Sequence, residues 1–277
     1  MISDEPIGII AGAGRLPFTV ADGIIASGRK LVIVGISGFA NPWLEGLADE
    51  FAWVGVTRMG KWIRVLKRHN VRKAVMIGSV RKTEMHSRFR LLRYIPDLRS
   101  ARIWYSQLRH DKRDNPVLLA VTEELAREGI ELMSSVEYCQ EHLAHEGVMT
   151  QLQPSPSVQL DIEFGWKIAR ASADLDIGQS LAVKERDILA VEAVEGTDAM
   201  IARAGSLCKK GNWTMIKVAR PNQDMRFDVP TVGPETIKNL AAANCSTLVV
   251  EAKKTLIADK PATLTLADKL KIAIIGK

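Results

Sequence analysis

The chain has few cysteines and no long apolar run. Three of its 277 residues are cysteines, and none of them belongs to a C-x-x-C pair. This scarcity argues against a disulfide-stabilised secreted domain and is typical of a reducing compartment. No apolar stretch approaches the roughly 20 residues that a membrane span requires. The opening residues MISDEP are acidic and lead into an apolar run, so we expect no secretory signal and a cytoplasmic location.

Positive charge is unevenly distributed along the chain. The net charge is +6, from 38 Lys or Arg against 32 Asp or Glu. Residues 81–113 contain ten of the basic residues and three of the acidic ones, so the rest of the chain is close to neutral. A clustered basic excess favours a polyanionic partner, such as a phosphate ligand, an anionic membrane or nucleic acid. Because no nucleic-acid-binding motif accompanies these charges, we expect no nucleic-acid partner.

Part of this basic region is also amphipathic. In MHSRFRLLRYIPDL, residues 85–98, arginines are interleaved with apolar residues that fall near one helical face. The apolar residues are Phe89, Leu92, Tyr94 and Ile95. Such a segment suits peripheral contact with an anionic bilayer or the cover of an acyl-chain pocket. A solvated helix face over an ordinary core is an interpretation of equal weight.

Short β-branched runs alternate with helical patterns in the first half of the chain. The predicted strands are IGIIAG, KLVIVGI, VGVT, KAVMIGSV and IELMSS, at residues 7–12, 30–36, 54–57, 73–80 and 130–135. The predicted helices cover residues 16–28, 59–70 and 116–129. Because strands separated by helices form parallel sheets covered on both faces, this pattern predicts an N-terminal Rossmann-like, doubly wound domain over residues 1–150.

The second half resumes the α/β alternation after a break. Residues 151–157, QLQPSPS, contain two prolines and no apolar periodicity, which is typical of a linker. The predicted helices that follow are 158–175, 197–204 and 234–244, and the predicted strands are 188–196, 213–221, 246–252 and 271–277. We therefore expect a second α/β domain over residues 158–277.

Two glycine-containing turns follow predicted strands. In IIAGAGRLP, Gly12 and Gly14 precede a helix that begins near Pro17. Glycine lets the backbone approach a ligand, and the N–H groups at a helix N-terminus favour an anion. MIGSVRK, residues 76–82, ends another strand with Gly78, Ser79 and Arg81, and in a parallel sheet both turns would open at the same end of the strands. Tight packing and an ordinary turn are the competing explanations, since the first motif is neither G-x-G-x-x-G nor a Walker A loop.

Cys139, His142 and His145 have a spacing of three residues, which places them on one helical face. Such a cluster suits a metal, but a fourth ligand at a recognised spacing is missing. A structural role is therefore the stronger expectation.

The strand ILAVEAVEG is followed by GTDAM, residues 196–200. Thr197 is predicted to cap a helix, with Asp198 in its first turn. Together with Glu195, these residues suit either ordinary helix capping or a bound metal or phosphate.

The segment MRFDVPTVGPET combines alternating charges with a rigid turn. If residues 225–228 form a strand, Asp224, Arg226 and Asp228 lie on one face of it. Carboxylates are hard ligands for Mg²⁺, and arginine suits phosphate. The Gly-Pro pair that follows begins a helix, whose first N–H groups favour an anion. The two interpretations are a phosphate–metal site and a surface ladder of salt bridges on an edge strand.

Four segments carry a family resemblance. They are IIAGAGRLP (9–17), LDIGQSLAV (175–183), ILAVEAVEGTDAMI (188–201) and QDMRFDVPTVGPETI (223–237). Together these segments resemble the LpxI family of UDP-2,3-diacylglucosamine pyrophosphatases, in the family's order and over nearly the whole chain. The last two segments are specific, whereas the glycine turn alone is not.

The resemblance implies Mg²⁺-dependent hydrolysis of UDP-2,3-diacylglucosamine to UMP and lipid X, within lipid A biosynthesis in Gram-negative bacteria. It implies two linked domains, a UDP-binding one and a C-terminal catalytic one, with substrate held between them. The family's essential acid matches Asp228, which would bind Mg²⁺ or orient water. Arg226 would hold phosphate or orient the acids, and Asp224 is the second candidate acid. The residues expected to bind substrate are Ala11, Gly12, Ala13, Gly14, Leu16, Gly78, Ser79, Arg81, Gln179, Thr197, Asp198, Thr231 and Gly233.

Other designs for the same chemistry are excluded by missing motifs. A metallophosphoesterase needs D-x-H, G-D and G-N-H-[DE] motifs, and the five histidines here never occur as H-x-H. A Nudix box is also absent. The remaining alternatives are a non-catalytic nucleotide- or sugar-nucleotide-binding protein and a peripheral membrane protein. A homodimer is expected only from the general frequency of twofold assemblies.

Overall fold

The computed structural model of the chain describes residues 5–80, 95–103, 105, 114–221 and 223–277. The chain forms two compact units. The first comprises Met1–Cys139 and Met225–Phe227, and the second comprises Gln140–Asp224 and Asp228–Lys277. Arg81, most of the amphipathic stretch 85–98 and most of the basic region around it lie outside the described residues.

The first unit alternates strands and helices. Its elements are β1 (Ile7–Ala11), α1 (Leu16–Ala26), β2 (Leu31–Ile36), β3 (Glu50–Val54), α2 (Met59–Arg68), β4 (Lys73–Ile77), α3 (Leu98–Ile103), α4 (Asp114–Arg127) and β5 (Glu131–Met133). The described strands form one sheet in the order β3-β2-β1-β4-β5, and all of its pairings are parallel. β1 and β2 are buried along their whole length, as central strands covered on both faces must be. The predicted doubly wound parallel sheet is confirmed.

The order of the strands reverses between β1 and β4. From β1 the chain builds outward through β2 to β3, then crosses to β4 on the other side. Ligands of such sheets bind outside the carboxyl ends of the strands at this switch point. The loops that follow β1 and β4 are therefore the ones in position for a ligand.

The predicted position of one strand of this sheet, β3, is wrong. The strand predicted at 54–57 is β3, at Glu50–Val54, and it ends where the predicted strand begins. β3 pairs with β2 at the sheet edge and is only partly buried, so it lacks the apolar run of a central strand. Phe51 and Trp53 pack edge to face on it, with ring centroids 4.9 Å apart.

The second unit is built on a mixed sheet. Its elements are β6 (Gly147–Val148), α5 (Pro156–Asp174), β7 (Ser180–Lys184), β8 (Asp187–Val191), α6 (Thr197–Leu207), β9 (Trp213–Lys217), β10 (Thr231–Val232), α7 (Pro234–Ala242), β11 (Cys245–Val250), β12 (Leu256–Ile257), α8 (Lys260–Lys269) and β13 (Ala273–Gly276). The sheet order is β6-β13-β11-β9-β7-β8, and β10 pairs separately with β12. β9, β11 and β13 run parallel, whereas β7 is antiparallel to both of its neighbours. The predicted second α/β fold is confirmed.

The second unit begins before the segment that was predicted to be the linker. β6 pairs antiparallel with β13, so residues 147–148 already belong to the second sheet. Within the predicted linker 151–157, Ser155 accepts a hydrogen bond from Val158 N–H and caps α5. The proline-rich stretch is therefore partly a helix start, in which Pro156 occupies the first turn.

Apolar side chains cover both faces of the second sheet. On one face α6, α7 and α8 enclose Trp213, whose indole N–H donates to Ala243 O over 2.9 Å. On the other face lies α5, and a β-carbon at Gly165 would approach Ile216 Cδ1 to 2.6 Å. Glycine at that position allows the helix to lie directly on β9. None of the described helices combines the length and apolarity needed to cross a bilayer.

Candidate functional site

The two glycine turns of the first unit lie side by side, as the parallel sheet predicted. Gly12 N–H donates to Ile77 O over 2.8 Å. Ala13 and Ser79 exchange backbone hydrogen bonds of 2.8 and 2.9 Å. The loops that follow β1 and β4 thus form one paired structure at the switch point of the sheet.

Two glycines in these turns are explained by packing between the loops. A β-carbon at Gly12 would lie 2.8 Å from Ser79 O, and one at Gly78 would lie 2.8 Å from Ala13 O. Gly78 also has a φ of +97°, which favours glycine. The backbone N–H groups of Gly12, Ala13 and Ser79 are used within this pairing, so they are not free to bind an anion.

The start of α1 remains suitable for an anion. The helix begins at Leu16 with Pro17 in its first turn; its first turn holds no acid, and none of the described side chains caps it. Gly14 has a φ of +105° and open space where a β-carbon would be. A helix N-terminus that is uncapped and accessible attracts negative charge.

The substrate-binding residues predicted in these turns differ in accessibility. Ala11 and Gly12 are buried in the sheet, whereas Ala13 and Leu16 are half-buried. Gly14, Gly78 and Ser79 are exposed. Arg81 lies outside the described residues.

In the second unit, two charged side chains are buried at one end of the strands of the sheet. Lys217 ends β9 and is 6% exposed, and Glu192 follows β8 and is 8% exposed. Ser180, which begins β7, pairs with Lys217 and accepts a hydrogen bond from Glu192 N–H over 2.8 Å. Three neighbouring strands therefore bring these residues together. Buried charges of this kind are rare unless they are paired or functional.

A threonine links the two buried charges. Thr197 Oγ1 donates to Glu192 Oε1 over 2.8 Å, and Lys217 Nζ donates to Thr197 Oγ1 over 3.3 Å. The prediction that Thr197 caps α6 is wrong: Gly196 is the N-cap, with a φ of +81°, and Thr197 is the first helical residue. Because Gly196 occupies the N-cap position, the Thr197 hydroxyl does not cap the helix and can contact Glu192 and Lys217 instead.

Burial and three acids act in opposite directions on Lys217. Desolvation lowers the pKa of its ammonium group below the usual lysine range. The negative charges of Glu192, Asp198 and Asp228 oppose that shift. Asp228, half-buried, therefore lies within electrostatic reach of Lys217, as does Asp198 at the start of α6. We call Glu192, Thr197, Asp198, Lys217 and Asp228 the Lys217 cluster.

Several polar atoms around this cluster lack a protein partner. Gln179 Oε1, Ser180 Oγ and Glu192 Oε2 are buried and have no hydrogen-bond partner within the described part of the chain. Buried polar groups are nearly always satisfied by protein, water or ligand. Gln179, which was predicted to bind substrate, therefore lies with its neighbours at a place that suits a polar ligand.

The strand predicted for MRFD is absent, and residues 225–227 form a turn. Asp228 N–H donates to Asp224 O over 2.9 Å, so the two acids do not alternate along an extended chain. The reason is that Met225–Phe227 pack with the first unit. Phe227 contacts its apolar core, and Ser134 Oγ donates to Met225 O over 2.9 Å. Arg226 lies over the Phe227 ring, 6.0 Å from its centroid.

Other predicted residues have ordinary structural partners. Asp198 Oδ1 accepts from Asn239 Nδ2 over 2.9 Å, and Glu195 pairs with Arg203 over 2.6 Å on the surface. Thr231 Oγ1 donates to Val229 O over 2.9 Å. Gly233 N–H donates to Thr236 Oγ1 over 3.4 Å, and α7 begins at the following proline, as predicted.

The cysteine–histidine cluster does not form. Cys139 and His142 lie in or beside short 3₁₀ turns, and His145 follows in irregular backbone, so no helical face carries them. Cys139 is fully buried, with its Sγ 3.1 Å from Ser135 O. In the ranges that the structure describes, no three His, Cys, Asp or Glu side chains are grouped to hold a metal.

Two family models match the chain in succession. The LpxI N-terminal domain matches residues 6–142, and the LpxI C-terminal domain matches residues 145–275. The chain belongs to the LpxI family. A curated relative, the UDP-2,3-diacylglucosamine pyrophosphatase LpxI of Caulobacter vibrioides, is 31% identical over 278 residues, covering 98% of this chain and 96% of the relative. The junction of the two LpxI models lies close to the division between Cys139 and Gln140.

Sequence reasoning missed the central members of the Lys217 cluster. Lys217 is the one charge inside the apolar strand WTMIK, and Glu192 follows the apolar strand DILAV. A charge between apolar residues of a predicted strand is the signal that would have found them, although Glu195 and Arg220 lie in the same predicted strands. Instead the neighbouring Glu195 was selected, and it forms a surface ion pair.

Proposed function

We propose that this LpxI protein hydrolyses the diphosphate bond of UDP-2,3-diacylglucosamine, with Mg²⁺, to UMP and 2,3-diacylglucosamine 1-phosphate (lipid X), a step of lipid A biosynthesis. The observation that carries the proposal is the Lys217 cluster, in which acids and a buried ammonium group share one edge of the second sheet. The name of the Caulobacter relative supports the choice of substrate.

The reaction adds one water across the P–O–P bridge. The water oxygen bonds to one phosphorus, the bridging P–O bond breaks, and the protons of water pass to solvent or stay on the two monoesters. Negative charge grows on the phosphoryl and bridging oxygens, so positive groups that are already in place lower the barrier. Lysine and an adjacent carboxylate for the metal provide that environment.

We assign Asp228 as the metal-binding and water-orienting acid. Mg²⁺ commonly uses one or two carboxylates together with substrate phosphates and water. Asp228 and Asp198, which both act on Lys217, fit this mode, and a set of three protein ligands is not required. The bound ion would supply neutralisation of phosphoryl charge. Asp224 and Arg226 retain their assignment as supporting catalytic residues.

We assign the nucleotide part of the substrate to the paired turns of the first unit. Gly14 and Leu16 lie at the uncapped start of α1, and Ser79 is exposed beside them. Thr231 and Gly233 keep a proposed contact role in the second unit. UMP is the product that carries the same nucleotide. These assignments predict that UMP binds to the protein and that substitutions in the two turns weaken this binding.

We also propose that the protein meets its diacylated substrate at the cytoplasmic surface of the inner membrane. The basic, amphipathic sequence 85–98 suits anionic lipid. Flotation with anionic vesicles, compared with neutral vesicles and with Arg-to-Gln variants of this stretch, measures the contact. Equal flotation in all samples would contradict it.

Sedimentation of the purified chain tests the predicted homodimer.

The direct test of the reaction is product identification. Purified protein is incubated with UDP-2,3-diacylglucosamine in Mg²⁺ or in EDTA, and the products are separated by mass spectrometry. We expect UMP and lipid X in equal amounts with Mg²⁺ and neither in EDTA. Binding of the substrate without any UMP would instead identify a non-catalytic sugar-nucleotide-binding protein. Hydrolysis in ¹⁸O-water identifies which phosphorus is attacked.

A further inference from the structure

Lys217 is buried, and no residue in the described part of the chain forms an ion pair with it. Within the described residues, its ammonium group has one hydrogen-bond partner, Thr197 Oγ1 at 3.3 Å. An ammonium group has three donors, so two remain without a protein acceptor. No carboxylate of the described chain forms an ion pair with it, although three lie within electrostatic reach.

A purely structural lysine would be expected to look different. Lys184, at the opposite end of the neighbouring strand β7, is half-buried and donates to the backbone oxygen of Gly211. A buried charge is tolerated when its remaining hydrogen bonds are satisfied. At Lys217 that satisfaction has to come from something other than the described side chains.

A second unsatisfied group lies next to Lys217. Glu192 Oε2 is buried and lacks a partner, while Oε1 of the same carboxylate accepts from Thr197. One carboxylate oxygen therefore holds the threonine, and the other has no hydrogen-bond partner among the described residues. Both the donors of Lys217 and this acceptor point to a polar ligand at the cluster.

The start of α6 adds a third feature at the same place. Thr197 is its first residue, and no described side chain caps the helix. N–H groups of a first turn have no partner within the helix, and they favour an anion. Because Thr197 also contacts Lys217, the helix start and the ammonium group are adjacent.

We propose that Lys217 donates to a phosphoryl oxygen of the substrate diphosphate at the start of α6, and that Thr197 positions its ammonium group for this contact. Lys217 is then a catalytic residue in the strict sense that it touches the reacting group. Glu192 holds Thr197 in the orientation that the contact needs. This inference rests on the proposed function for its substrate, but the anion site itself is tested separately.

The contact between Lys217 and the phosphoryl oxygen offsets the repulsion between the acids of the Lys217 cluster and the diphosphate. Asp198, Asp228 and Glu192 alone would repel a diphosphate, and a fixed ammonium group offsets that repulsion. Since the charge on phosphoryl oxygens changes during the reaction, a preorganised donor stabilises the transition state. Removal of one such donor typically slows an enzyme by about 10²–10³-fold.

Inorganic pyrophosphate is the probe for the anion site, because it needs no diacylglucosamine substrate. Calorimetric titration of the full-length protein without divalent ions measures its affinity. We expect Lys217→Met to weaken pyrophosphate binding by about 10- to 100-fold and Lys217→Arg to restore most of it. Lys184→Met is the matched control, because Lys184 lies in the same sheet but at the opposite end of the strands. This variant should bind pyrophosphate with the affinity of the unmodified protein.

The positioning role of Thr197 has a distinct readout. Thr197→Val keeps the shape but removes the hydroxyl that Glu192 and Lys217 share, so the unfolding temperature should fall and kcat should fall even where the variant is fully folded. Thr197→Ser restores the hydroxyl and should recover most of the lost kcat. A purely structural role would lower the unfolding temperature of Thr197→Val but leave its kcat unchanged at temperatures where the variant is fully folded.

The possible outcomes separate this inference from the proposed function. If pyrophosphate affinity depends on Lys217 but UDP-2,3-diacylglucosamine is not hydrolysed, the anion site stands and the proposed function fails. If the substrate is hydrolysed and Lys217→Met binds pyrophosphate and turns over normally, the inference is overturned. If Lys217→Met does not fold, the comparison of Lys217→Arg with Thr197→Val and Thr197→Ser decides in its place.

Discussion

The backbones of Ala13 and Ser79 exchange two hydrogen bonds, of 2.8 and 2.9 Å. Through them the loop after β1 and the loop after β4 behave as one unit at the switch point of the first sheet. The close approach depends on Gly12, because any β-carbon there meets backbone atoms of residues 78 and 79 that have no freedom to move independently.

Gly12→Ala should therefore destabilise the first unit. The added β-carbon would lie 2.8 Å from Ser79 O, and we expect a loss of about 1–3 kcal/mol in the free energy of unfolding. The affinity for UMP should fall as well, because the paired loops hold the start of α1 in position. Urea unfolding and UMP titration measure the two effects.

Gly46→Ala is the control for that substitution. Gly46 has open space where a β-carbon would lie and does not have a positive φ. Its replacement should change the free energy of unfolding by no more than a few tenths of a kcal/mol. Equal losses for the two variants would mean that packing between the two loops does not set the effect.

The adjacency of these loops was predictable because it follows from strand direction alone. In a parallel sheet the carboxyl ends of β1 and β4 meet at one edge whatever the side chains are. The register that joins Ala13 to Ser79 depends on two glycines already visible as G-A-G and I-G-S. What the sequence did not indicate is that the N–H groups of Gly12, Ala13 and Ser79 donate to backbone oxygens of the paired loops.

The Lys217 cluster was less predictable, for a geometric reason. Its members come from the end of β9, the residue after β8, the start of α6 and the loop at Asp228, and Glu192 and Lys217 meet because β7 runs antiparallel between β8 and β9. A linear pattern does not reveal which strands are neighbours. The turn at Met225–Phe227 was missed for a similar reason, since three residues that read as a strand pack with the first unit.

Glu251 should make stability depend on pH in the acid range. Burial opposes its charge, but hydrogen bonds from Lys254 and Ala219 N–H and the charge of Arg170 hold its pKa below the usual glutamate range. Because the folded pKa is depressed, the carboxylate stabilises the protein above the unfolded-state pKa, and this contribution is lost as pH falls through the folded pKa.

Glu251→Gln tests that linkage. At pH 7 we expect a loss of about 1–3 kcal/mol in the free energy of unfolding, because hydrogen bonds to a charge are replaced by weaker ones. The difference from the unmodified protein should shrink as the pH drops below the ordinary glutamate range. A difference that is constant from neutral to acid pH would show that the charge of Glu251 plays no part.

The three cysteines should be unreactive in the folded protein. Cys139, Cys208 and Cys245 are all buried, and burial raises the pKa of Cys245 to about 12. Thiolate is the reactive form, so Ellman's reagent should label none of them in the native state and all three in denaturant. Rapid labelling of any one under native conditions would mean that its surroundings open readily.

Asp228 is the residue on which the proposed chemistry depends. Asp228→Asn removes one negative charge near Lys217, so binding of pyrophosphate should be kept or strengthened. Asp187→Asn is the control, since Asp187 is exposed at the far end of β8. Both variants should unfold at nearly the temperature of the unmodified protein.

The most direct test of the account is the single-turnover rate of UMP release from UDP-2,3-diacylglucosamine by Asp228→Asn at saturating Mg²⁺. We predict that the rate falls by at least about 10²-fold while Asp187→Asn keeps the full rate. Undiminished UMP release by Asp228→Asn would contradict the account.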